Sequence, residues 1–140
     1  MDKQTIESLV KAAMQVRKMA YAPYSGFSVG AALKDDQGNI HMGCNIENAA
    51  FTPGICAERT AISVAVAKGI RNFTAIAVVG GTTSKPPTEY CFPCGVCRQV
   101  MMEFCLPNFM IIVAQSPQNY KIFSLEQLLP HGFGPNNLLI

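Results

Sequence analysis

Cys94 and Cys97 stand three residues apart in Pro93-Cys94-Gly95-Val96-Cys97, opening a segment that reads as a helix, and Cys56 opens another such segment. Thiolates at i and i+3 on a helix's first turn share one face and can grip one ion. A helix N-terminus carries partial positive charge and free N–H groups, both of which favour the thiolate that a metal needs. Strands that deliver both helices to the same sheet edge would bring Cys56 to the pair. Three protein ligands leave the fourth tetrahedral position to water, which is the arrangement of catalytic rather than structural zinc. Glu58, two residues after Cys56, is too close in the chain to be the natural fourth ligand and well placed to take a proton from a bound water. The spacing predicts one zinc ion, an activated water and a proton shuttle.

Other readings of these residues exist. Cys94-Gly95-Val96-Cys97 taken alone fits a thioredoxin-like redox pair, against which stand Cys56 and Glu58 at the start of a separate helix. A structural zinc knuckle lacks its fourth ligand, since His41 lies mid-strand and His131 in the C-terminal tail, where each reads as solvated or structural. Arg59 follows Glu58. Zinc with three thiolates carries net negative charge, which makes a bound water a poorer acid; a cation donating hydrogen bonds to a thiolate offsets that. Arg59 is the candidate for this supporting role, and the alternative is a surface arginine on an exposed helix face.

The elements that must position these residues follow from periodicity and punctuation. Ile6, Leu9, Val10, Ala13 and Val16 recur at helical steps and predict a helix from Lys3 to Ala20. Ala22-Pro23-Tyr24-Ser25-Gly26 breaks it. Phe27 to Leu33 and Asn39 to Asn45 read as strands joined by the hairpin chemistry of Asp35-Asp36-Gln37-Gly38. The Ala-rich stretch from Cys56 to Lys68 predicts a helix closed by Gly69. Phe73 to Val79 reads as a strand ended by Gly80-Gly81, Thr82 to Phe92 as a polar loop, and Cys94 to Phe104 as a helix with Pro93 at its start. Phe109 to Ala114 and Tyr120 to Phe123 read as strands, and Ser124 as the cap of a short helix over Leu125 to Leu129 that Pro130 stops. Helices interleaved with strands imply layers around a mixed sheet.

A chain of 140 residues fits one domain, residues 1–140. Its 49% hydrophobic and 14% charged residues are those of a globular protein. With 11 Lys+Arg against 9 Asp+Glu and no dense basic run, nothing points to a nucleic-acid partner. No apolar run approaches the roughly 18 residues of a membrane span, and Met1-Asp2-Lys3-Gln4 lacks the pattern of a secretory signal. These features predict a soluble, cytoplasmic protein without a membrane partner. There the 6 cysteines read as metal-binding, catalytic or buried rather than disulfide-bonded. Cys44 and Cys105 read as apolar fillers, and Cys91 as an oxidation-sensitive thiol or a residue without a role. Phe51, Phe133 and 7 Met leave apolar surface for partners.

Asn45-Ile46-Glu47-Asn48, Cys56-Ala57-Glu58-Arg59-Thr60-Ala61 and Pro93-Cys94-Gly95-Val96-Cys97-Arg98-Gln99, in this order, resemble the small homotetrameric cytidine deaminases of the three-cysteine zinc type. The resemblance runs from Tyr24 to the tail Leu128-Leu129-Pro130-His131-Gly132-Phe133-Gly134-Pro135. It implies an α/β, three-layer α-β-α fold with a five-stranded mixed sheet. It also implies one zinc ion per subunit, held by Cys56, Cys94 and Cys97, which activates a water for attack on cytosine C4. Glu58 would protonate ring N3 and then the departing amine. Asn45 and Glu47 would hydrogen-bond the ribose 3′-hydroxyl, and their alternation across Ile46 suits an extended segment. Phe27 would pack against the base, and backbone groups around Ala57 and Cys94 would hold the pyrimidine's polar edge. Phe51 and Phe133 match aromatic positions presented near a neighbouring subunit's site in a homotetramer. The implied substrates are cytidine and deoxycytidine, in pyrimidine salvage.

Phe92 stands where similar enzymes often have Ser, Val96 where they often have Ala, and the Thr82 to Cys91 loop has no familiar pattern. Two rival functions remain at this level. One is a related three-cysteine deaminase of a nucleoside-like antibiotic such as blasticidin S; the other is a non-catalytic, zinc-stabilised binding protein. Deaminases of nucleotides or polynucleotides usually carry His-x-Glu, where this chain has Cys56-Ala57-Glu58.

Overall fold

The computed structural model describes residues 1–139. Asp2 caps the first helix, α1 (Lys3–Arg17), its Oδ1 accepting the Thr5 N–H at 2.8 Å, and Ile6, Leu9, Val10 and Ala13 form the buried stripe. The helix stops at Arg17 rather than Ala20 because Tyr21 must be extended. Its N–H donates to the Asn45 carbonyl at 3.0 Å and its carbonyl accepts the Glu47 N–H at 2.8 Å. Between them Lys18, Met19 and Ala20 wind tightly, each N–H reaching back three residues.

Five strands form one sheet: β1 (Phe27–Asp35), β2 (Ile40–Cys44), β3 (Phe73–Thr82), β4 (Met110–Ser116) and β5 (Asn119–Ser124), in the order β2-β1-β3-β4-β5. β3 and β4 run parallel and every other neighbouring pair antiparallel, so the sheet is mixed as expected. Alternate side chains of the central strands serve two cores. Ala32, Ala75, Ala77, Val79, Ile112 and Ala114 meet α1 on one face. Leu33, Ile76, Val78, Ile111 and Val113 meet α2 (Ala57–Ala67) and α3 (Gly95–Phe104) on the other. Buried on both faces, these strands read as continuous apolar runs. A short helix, α4 (Leu125–Leu128), follows β5 under a capping box in which Ser124 and Gln127 exchange hydrogen bonds.

β3 continues through Gly80 and Gly81 to Thr82, where the sequence suggested termination. The glycines are there for lack of room: a Cβ on Gly80 would lie 2.7 Å from Cys91 Sγ, and one on Gly81 would lie 3.1 Å from Pro87 Cα. Gly43 on β2 is tighter still, since its Cβ would lie 2.4 Å from the Ala61 nitrogen and 2.6 Å from the Ala57 carbonyl oxygen. Strand and helix α2 therefore meet backbone against backbone.

The β1–β2 hairpin is locked by a buried pair. Asp35 Oδ1 accepts the N–H groups of Gln37 and Asn39 at 2.8 and 2.9 Å, and Oδ2 meets His41 Nε2 at 2.9 Å. His41 is thus structural rather than solvated. Its hydrogen bond, aided by those backbone donors, holds the Asp35 carboxyl down from 3.8 to about 2. A depressed acid contributes stability that is present above its unfolded value and lost as pH falls through its folded one. Thermal melts between pH 4 and 2 should show a steep loss of stability in the wild type. Asp35→Asn should flatten that slope and lower the melting temperature at neutral pH; parallel slopes would show that the pair does not titrate as described. Among the described residues no helix is long and apolar enough to cross a membrane.

Candidate active site

Cys56 is the N-cap of α2 and Cys94 the N-cap of α3, both with extended backbone. The sequence placed them inside the first turns; each lies one residue earlier because cap geometry suits a side chain that turns back across the helix end. Cys94 does so, its Sγ accepting the Cys97 N–H at 3.5 Å. Cys56 makes no cap bond and points to Cys94 instead, at 3.8 Å between sulfurs. Cys94 and Cys97 sulfurs are 3.5 Å apart, and the ligand atoms of the three lie within 4.8 Å of one another. Tetrahedral zinc with Zn–S bonds of about 2.3 Å sets its sulfurs roughly 3.8 Å apart. The donor set and its spacing therefore fit zinc.

The trio shares its protons. A hydrogen bond from Cys97, joined by one from Arg59, lowers the Cys56 thiol, while donation to Cys56 and burial raise Cys97. The opposite directions are those of a coupled pair that parts with its first proton readily. Arg59 Nη2 lies 3.4 Å from Cys56 Sγ, and its Nε is buried without a partner among the described residues. The thiolate it faces raises its own pKa further.

Glu58 sits on the first turn of α2 with 4% of its surface exposed. Burial raises its carboxyl to about 7, against the opposing pull of hydrogen bonds and Arg59. It opens onto a cavity of about 410 Å³ that is also lined by Asn45, Glu47, Phe51, Cys56, Ala57, Arg59 and Cys94. Cys97 lies beneath it, fully buried. Asn45 Oδ1 accepts the Val29 N–H and its Nδ2 donates to the Phe27 carbonyl, both at 2.8 Å. Glu47 accepts the N–H groups of Tyr24 and Ser25 at 3.0 and 3.1 Å and the Ser25 hydroxyl. That hydroxyl is the main cause of its lowered pKa. Glu47 thereby ties the segment before β1 to the cavity edge, and Asn45 ties the start of β1 to it. A second hollow of about 340 Å³ adjoins, sharing Glu47, Phe51 and Gly54.

Phe51 stands at the cavity mouth, 88% exposed. Phe27 and Phe133 are exposed and lie off the cavity wall, the Phe133 carbonyl accepting Gln99 Nε2 at 2.7 Å. Val29, Ile55, Cys91 and Phe92 line the cavity, and no motif or periodicity marks the first two for it. Cys91 packs against Gly80, where a Cβ would lie 2.7 Å from its Sγ. Phe92 is backed by Phe123, ring centroids 5.3 Å apart. Arg98, quoted in the motif without a role, donates to the Pro93 carbonyl at 2.7 Å and the Leu128 carbonyl at 2.8 Å, fixing the approach to Cys94.

Residues 3–113 match the family described as the cytidine and deoxycytidylate deaminase zinc-binding region. The chain belongs to the cytidine deaminase family. A cytidine deaminase of Sporosarcina psychrophila is 41% identical over 133 residues, 95% of this chain and 94% of that one. One from Halalkalibacterium halodurans is 42% identical over 133 residues, 95% of each chain. The crystal structure of cytidine deaminase from Burkholderia pseudomallei superposes with a TM-score of 0.82 at 44% identity, covering 90% of this chain and 97% of that one. This cytidine deaminase family member is thus a zinc-dependent deaminase with the expected α/β fold, and Cys56, Cys94 and Cys97 form the cluster that could hold its ion.

Proposed function

We propose that the enzyme hydrolyses the 4-amino group of cytidine and deoxycytidine, giving uridine or deoxyuridine and ammonia. The observation that carries this reading is a buried carboxyl, Glu58, beside three sulfurs spaced for one zinc, all on a cavity of about 410 Å³. Zinc held by Cys56, Cys94 and Cys97 would supply a water acidic enough to serve as nucleophile near neutral pH. Glu58 takes one of that water's protons and delivers it to ring N3, then takes the water's second proton and passes it to the departing amine, which leaves as ammonia. Burial favours the protonated form of the Glu58 carboxyl, the direction that suits a group which must give a proton as well as take one. Asn45 and Glu47, held from behind by backbone partners, orient the ribose through its 3′-hydroxyl. Ala57 and Cys94 backbone groups hold the base edge, and Phe27 packs against the ring. Arg59 offsets the negative charge of the thiolates through Cys56.

Residues 1–140 act as one catalytic domain, in the cytoplasm and in pyrimidine salvage. Exposed Phe51 and Phe133 support a homotetramer in which each subunit lends aromatics to a neighbour's site. Light scattering at assay concentrations should give a tetramer; an active monomer would remove the shared-site reading. Ammonia release from cytidine, deoxycytidine, cytidine monophosphate and blasticidin S, with zinc counted per chain, tests the whole. Turnover of the two nucleosides is expected, and turnover of blasticidin S alone would favour the antibiotic deaminase. Zinc without any turnover would favour a binding protein.

Arg59→Ala should speed loss of zinc to a chelator by roughly 10–100-fold, the usual effect of removing a group that supports a metal ligand. It should also move the activity profile to higher pH. Unchanged zinc retention and an unchanged profile would return Arg59 to an ordinary structural role.

A further inference from the structure

On the α1 side of the sheet lies a hollow of about 820 Å³ that shares no residue with the cavity beside the cysteines. Lys11, Arg17 and Lys18 line it from α1 and its end, and Lys85 from the segment after β3. No carboxylate lines it, in a chain whose net charge is only +2. The Asp35–His41 contact is the one ion pair among the described residues, so none of these four cations is neutralised by a neighbour. Lys11 and Lys18 lie seven residues apart along the chain, about 10 Å of helical rise, and Lys85 borders the same hollow from a different element.

Arg17 is held in place by its backbone partners. Its Nε donates to the Ser28 carbonyl at 2.9 Å, and its Nη2 donates to the Thr82 and Lys85 carbonyls at 2.8 and 3.0 Å. Nη1 has no acceptor among the described residues. The loop opposite carries backbone strain, since Ser84 adopts a φ of 64° without being glycine. Such strain persists where surrounding structure enforces it, and it gathers at ligand clamps. Thr83, Ser84 and Ser116 add hydroxyls to the lining, while Val79, Pro86 and Pro87 form an apolar floor.

We infer that this hollow is a second ligand site, one that takes a small phosphate-bearing anion. A fixed guanidinium with lysines on two sides suits an oxygen-rich, multiply charged group, and the spread of about 10 Å suits an extended anion better than a single ion. The apolar floor offers a place for an organic portion. The site depends on none of the zinc chemistry and stands apart from the proposed deamination.

Calorimetric titration of the zinc-loaded enzyme with pyrophosphate and with ATP tests this, with zinc content checked after each titration. Binding tighter than about 1 mM is expected, weakening as salt is raised. Equal affinities would mean that the phosphates alone are recognised; tighter ATP would mean that the apolar floor contributes. Lys18→Glu and Lys85→Glu, checked for unchanged melting, should each weaken binding at least about tenfold, while Lys68→Glu, at the end of α2 on the opposite face, should not. Absence of binding by both probes, or equal weakening by all three variants, would overturn the inference.

Discussion

Glu58→Gln should lower kcat for cytidine at least about 10²-fold, the scale of losing general acid–base catalysis, with zinc content and KM little changed. The substitution keeps the side chain's shape in a position that is 4% exposed, so packing on α2 is preserved. What it removes is the ability to take protons from water and return one to the ring and one to the amine. A second readout separates chemistry from folding. In the metal-free protein the Glu58 carboxyl is raised from 4.5 to about 7 by burial. A raised acid costs stability as pH climbs through that interval and beyond. The variant, which has no charge to bury, should melt at an equal or higher temperature than the metal-free wild type at pH 8. Turnover that survives the substitution undiminished would remove Glu58 from the chemistry.

Cys97→Ser should abolish both zinc retention and activity. Cys97 is the one member of the trio with no exposed surface, and it closes the cluster from below. A hydroxyl there remains protonated at neutral pH and is a poor substitute for a thiolate toward zinc. Metal content per chain should fall from one to near zero, measured on protein purified without added zinc. The melting temperature should fall too, because an ion that binds only the folded chain stabilises it by mass action. Chelation of the wild type should reproduce the loss of activity, and added zinc should reverse it in the wild type and not in the variant. Full activity in a zinc-free variant would dismantle the metal assignment.

The chemistry of the centre was legible because it rests on residue types at fixed spacing. A cap and its third following residue hold their relation wherever the helix sits, so Cys94 and Cys97 could be paired on paper. Cys56 could be added because strands feed both helices from one side of the sheet. Contacts that depend on tertiary approach were not legible. Gly80 and Gly81 looked like a strand's end, and only the crowding by Cys91 and Pro87 explains why they continue it. His41 looked solvated or structural, and its burial against Asp35 depends on the hairpin's register. Val29 and Ile55 reach the cavity through pairing and loop paths that no periodicity encodes. Phe27 and Phe133 stand outside the wall of a single chain's cavity, so spacing along one chain could not locate them relative to it.

The contact at Gly43 has a consequence for how finely the catalytic distances are set. Two residues further on, the chain reaches Asn45, and Ala57, whose carbonyl crowds Gly43, directly precedes Glu58. With no side chain between strand and helix, their separation is already at the minimum that polypeptide allows. It works as a mechanical end-stop rather than an adjustable cushion of side chains. The gauge between the edge that would grip a sugar and the carboxyl that would move a proton can only widen by substitution, never tighten.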